Sequence, residues 1–142
     1  MTDAEALALG QRAVACRGWR WMPRMHGLDI HANGFTFLFA HPSGGAIVLQ
    51  DGAVLQTLPV SREFMRLTLP DLRDPATLGC LLALVREAHG ALVYVEPRWD
   101  LAWRLVPMMW EVYTMSDSST IGPSYKGATE AEALVAALEG AP

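Results

Sequence analysis

The chain has 142 residues, of which 51% are hydrophobic and 18% charged, and a formal net charge of −4. This is one domain's length with ample apolar material for a core, which excludes a disordered chain. The acidic balance excludes a generally basic nucleic-acid binder, and it is far too small for a dense acidic mimic of DNA.

No apolar run reaches the roughly 18 residues that a membrane span needs. The start, Met1-Thr2-Asp3-Ala4-Glu5, is polar and acidic where a secretory leader is basic and then apolar. A cytoplasmic protein is expected, with Cys16 and Cys80 kept as buried thiols.

Thr2 and Glu5 have the spacing of a capping box, in which a hydroxyl and a carboxylate each accept from an N–H of the first turn. The Ala- and Leu-rich stretch from Ala4 to Cys16 continues as a helix, and Gly18 stops it. From Trp19 the period becomes two. Trp19, Trp21 and Pro23 fall on one face of an expected strand, and Arg20, Met22 and Arg24 on the other.

Two hairpins follow. Residues 28–32 and 35–39 flank Asn33-Gly34, and residues 46–50 and 53–57 flank Asp51-Gly52. Both dipeptides suit the positive φ of tight turns. A four-stranded antiparallel meander is expected, with Phe35, Phe37 and Phe39 sharing a core face. Residues 59–72, with two prolines, read as a loop or a short irregular element.

Asp74-Pro75 opens the second helix as N-cap and first residue, and Leu78, Leu81, Leu82 and Val85 form its apolar stripe up to Gly90. Three strands are expected next, over 91–96, 98–105 and 110–115. Residues 116–127 read as a polar loop. Thr129 and Glu132 repeat the capping-box spacing and open the final helix. The expected class is α+β, with antiparallel sheets and three helices in the order α-ββββ-α-βββ-α. The 142 residues make one compact domain or two packed subdomains, 1–60 and 70–142.

Catalytic signatures are absent: there is no nucleophile elbow, papain-type cysteine context or phosphate-binding loop. No enzyme activity and no cofactor are expected. His26, His31 and His41 cluster near Asp29, but their spacing matches no compact metal signature. His89 ends a helix, where an imidazolium complements the dipole. At the last helix, Thr129, Glu130 and Glu132 occupy the N-terminus that a phosphate would need.

The segment Arg17-Gly18-Trp19-Arg20-Trp21-Met22-Pro23-Arg24 interleaves three arginines with two tryptophans. Guanidinium and indole together can hold an anion and stack on a ring. The plainer reading puts the tryptophans in the core and the arginines in water. Trp99, Trp103 and Trp110 form a second aromatic concentration. Trp19, Arg20, Trp21, Arg24, Trp99 and Trp103 are the candidate binding residues.

Residues 69–88 (Leu-Pro-Asp-Leu-Arg-Asp-Pro-Ala-Thr-Leu-Gly-Cys-Leu-Leu-Ala-Leu-Val-Arg-Glu-Ala) and 128–139 (Ala-Thr-Glu-Ala-Glu-Ala-Leu-Val-Ala-Ala-Leu-Glu) resemble segments of small phage and prophage proteins of unknown function. Residues 12–23 do so less strongly. The second half is similar to the phage α/β/α-sandwich domain. That resemblance implies a fold and a phage setting, with no functional residues to carry over. It implies an accessory protein that works by binding, antagonising a host defence by occluding a host protein or sequestering a nucleotide. A homo-oligomeric virion assembly protein is the alternative. A metal-dependent hydrolase built on His26, His31 and Asp29 is the second.

Overall fold

A computed structural model of the chain describes residues 1–29, 35–41, 45–50, 53–58, 68–90, 92–99, 109–115 and 121–142. The class is α+β. Among the described residues are three helices, α1 (Asp3–Ala15), α2 (Pro75–His89) and α3 (Glu130–Glu139). There are two antiparallel sheets. The first contains β1 (His26–Asp29), β2 (Phe35–His41), β3 (Gly45–Gln50), β4 (Ala53–Leu58) and β5 (Thr68–Pro70). The second contains β6 (Leu92–Arg98), β7 (Met109–Met115) and β8 (Ile121–Gly127). The chain divides into two compact units: Met1–Ala15 with Arg20–Cys80, and Cys16–Trp19 with Leu81–Pro142.

In the first unit, α1 opens with the capping box read from the sequence. Thr2 N donates to Glu5 Oε2 at 2.6 Å, and Glu5 N donates to Thr2 Oγ1 at 3.3 Å. Ala6, Leu9, Gly10 and Ala13 form its buried stripe, at the spacing of one helix face. The helix packs on β5, and a Cβ at Gly10 would stand 3.2 Å from both Leu69 Cβ and the Pro70 carbonyl oxygen. The strand order is β4-β3-β2-β1-β5.

Three sequence expectations change here. Residues 19–24 form no strand. Trp19 N donates to the Cys16 carbonyl at 3.0 Å, and Met25 N donates to the Met22 carbonyl at 3.2 Å. Arg24 has φ 75°. Proline followed by a positive φ is the signature of a type II turn over residues 22–25, and wholly buried Met25 anchors it. Second, β5 lies inside the expected loop 59–72. All three of its residues are buried, a pattern without the alternation that sequence reading looks for. Third, Leu28 pairs with Thr36, which leaves five residues between Asp29 and Phe35. A two-residue Asn33-Gly34 turn would have set Leu28 opposite Phe39. The Asp51-Gly52 expectation fits better, because Gln50 pairs with Ala53. The two turn dipeptides themselves, His31, and the side chains of Phe35, Phe37 and Phe39 lie outside the described residues.

Asp74 caps α2 as expected, its Oδ2 accepting from Thr77 N at 2.7 Å. Gly90 stops this helix at φ 58°, the left-handed position that glycine takes without steric cost.

In the second unit the strand order is β6-β7-β8, and α3 packs on β7 and β8. Val93 and Val112 bury from the sheet, and Ala131, Leu134, Val135 and Leu138 from α3. Thr129 caps α3, its Oγ1 accepting from Glu132 N at 3.2 Å, while Glu132 Oε2 accepts from Ala128 N at 2.7 Å. β7 pairs with β6, which runs on to Arg98, and residues 100–105 of the expected strand 98–105 lie outside the described residues. Trp103 lies outside the described residues. The third strand is β8, inside the expected polar loop 116–127. Its glycines and Pro123 hid it. In the register, Gly122 and Pro123 together oppose Thr114, an irregularity that accommodates a proline at a sheet edge.

Candidate binding face

The register of the second sheet assigns its faces. Val93, Val112 and Thr114 are buried on the side that α3 covers. Side chains alternate along a strand, so Leu92, Tyr94, Glu96 and Arg98 of β6 occupy the opposite face. Met115, Tyr113, Glu111 and Met109 of β7 stand directly across from them. Ser124 and Lys126 of β8 complete the rows. Leu92 is 60% exposed, Tyr94 42%, Met109 36%, and Trp99, just beyond β6, 56%.

The middle of the face is aromatic. Tyr94 and Tyr113 stack with ring centroids 5.4 Å apart and planes 15° from parallel. The next row sets Glu96 against Glu111, a like-charge pair that is unfavourable unless compensated. Arg98 Nε donates to Glu111 Oε2 at 2.6 Å, and Lys126 Nζ lies 4.0 Å from Glu111 Oε1. Tyr113 donates its hydroxyl hydrogen to Glu96 Oε1 at 2.7 Å. The Glu111 side chain is only 11% exposed, whereas those of Arg98 and Lys126 are 54% and 58% exposed. The anion therefore lies beneath two outward cations.

Titration follows this arrangement. The hydrogen bond from Arg98 holds the Glu111 carboxyl below its usual range, aided by Ser124 against the opposing effect of burial. The Tyr113 phenol is pushed up by its bond to Glu96. In the first unit, burial pushes the Cys80 thiol up, with Asp74 adding to the rise. Each shift moves its group away from neutral pH, the opposite of what a general acid, base or nucleophile needs.

The edges of this sheet are blunted. The Val93 carbonyl accepts from Arg86 Nη2 at 3.4 Å and so points away from β7. Pro97, four residues along, shares that outward orientation and brings no N–H to it. The other edge carries Pro123 in its irregular pair.

The residues singled out from the sequence are placed as follows. Trp19 lies in the second unit and is half-buried; Arg20, Trp21 and Arg24 lie in the first, with Trp21 half-buried and both arginines exposed. The strand that would have ordered them is absent. Trp99 is exposed beside the face just described. His26 lies on β1 and its backbone N–H donates to Thr77 Oγ1 at 2.8 Å. The side chains of Asp29 and His41 lie outside the described residues, and among the described residues no group of three His, Cys, Asp or Glu side chains could hold a metal. Cys16 and Cys80 are half-buried and are not joined in a disulfide. His89 does more than face a dipole: its Nε2 donates to the Ala137 carbonyl at 2.9 Å, and its ring lies 5.6 Å from that of Tyr125. Among the described residues no helix is long and apolar enough to cross a membrane.

Sequence reasoning missed the face itself. Its signal was the alternation Leu92, Tyr94, Glu96, Arg98 against Val93 and Val95, hidden because residues 98–105 offered a second alternating run. No protein-family model, curated protein or solved structure matches the chain.

Proposed function

We propose that this protein works by binding another protein, with the exposed face of β6, β7 and β8 as its contact surface. The observation that carries this reading is one sheet face holding exposed Leu92, Tyr94 and Met109 beside a charged row that is already internally paired. Aromatic, Met and Arg side chains with a polar border are the composition of protein–protein contact cores. Arg98 and Lys126 share Glu111, so little free cationic charge is available to track a nucleic-acid backbone. The phage-type accessory role, directed at a host protein, is the setting we infer from the sequence resemblance at 69–88 and 128–139.

The test is native mass spectrometry of the protein purified from bacterial cells, wild type against Leu92→Asp. A co-purifying protein present with the wild type and lost with Leu92→Asp, at unchanged thermal stability, is expected. Retention of that protein by the folded variant contradicts the reading. A tightly held nucleotide, or a large bare homo-oligomer, would favour sequestration or virion assembly instead.

A further inference from the structure

We draw no further inference here: the strongest candidate, the exposed sheet face of β6, β7 and β8 around Leu92, Tyr94 and Met109, belongs to the site already described, and nothing in the structure shows what covers it.

Discussion

Arg98 and Glu111 are joined at 2.6 Å through Nε and Oε2, with the carboxylate nearly buried and the guanidinium half in water. The bond offsets the desolvation of Glu111 and the repulsion of Glu96 across the strand pair. The face thereby holds two acids in register without opening.

The pH dependence of stability follows from that bond. Glu111 has a lowered pKa in the folded chain. Its stabilisation is therefore present above the ordinary carboxylate pKa, about 4.3 in the unfolded state, and is lost as pH falls through the lower folded value. Glu111→Gln should flatten the loss of stability below about pH 4.3 relative to wild type. Denaturant titrations between neutral and acid pH read this, and parallel curves for the two proteins would contradict it.

Thr77 ties the start of β1 to the first turn of α2. Its Oγ1 accepts from His26 N at 2.8 Å and donates to Asp74 Oδ2 at 2.9 Å, and the residue is fully buried. Thr77→Val keeps the shape and strands the His26 N–H, while Asp74 Oδ2 keeps its bond from Thr77 N, which should cost about 1–3 kcal/mol. Thr77→Ser should recover most of that in urea unfolding.

Gly127 ends β8 where α3 begins. An added Cβ would lie 2.5 Å from Ala133 N and 2.6 Å from Glu132 Cβ, so backbone must move. Gly127→Ala should destabilise by about 1–3 kcal/mol. Gly79→Ala, with open space around it, serves as the control and should be neutral or stabilising in the same thermal melt.

Arg24 holds a positive φ that costs a side-chain-bearing residue about 1–2 kcal/mol. Arg24→Gly relieves this and adds back up to ~1 kcal/mol of chain entropy. It should leave stability equal or slightly raised, whereas Arg24→Ala gains nothing. The Arg20→Ala/Arg24→Gly pair also separates two surfaces. A bound partner retained by this pair and lost with Leu92→Asp assigns binding to the sheet face, and the reverse assigns it to the tryptophan–arginine segment.

Helix starts were the most legible part of the sequence. Thr2/Glu5, Asp74-Pro75 and Thr129/Glu132 are local signals, and their hydrogen bonds form within three or four residues. Strands were legible where alternation and a tight turn agreed, as at β3 and β4. They were illegible where tertiary pairing overrode local pattern. β5 is buried on every residue, and β8 is polar, with Pro123 admitted at an irregular edge position. The segment at 19–24 alternates in sequence yet turns, because Pro23 presets the bend. The binding face depends on the register of three strands that one sequence window does not contain. Of the sequence candidates, Trp99 is exposed just beyond β6, and Trp103 lies outside the described residues.

The most direct test of the contact face is oxidative footprinting of the protein alone and saturated with its co-purified partner. Tyr94 and Met109 should lose reactivity on binding, while exposed Met1 in the first unit should not. Unchanged reactivity at Tyr94 and Met109, with protection elsewhere, would contradict the account.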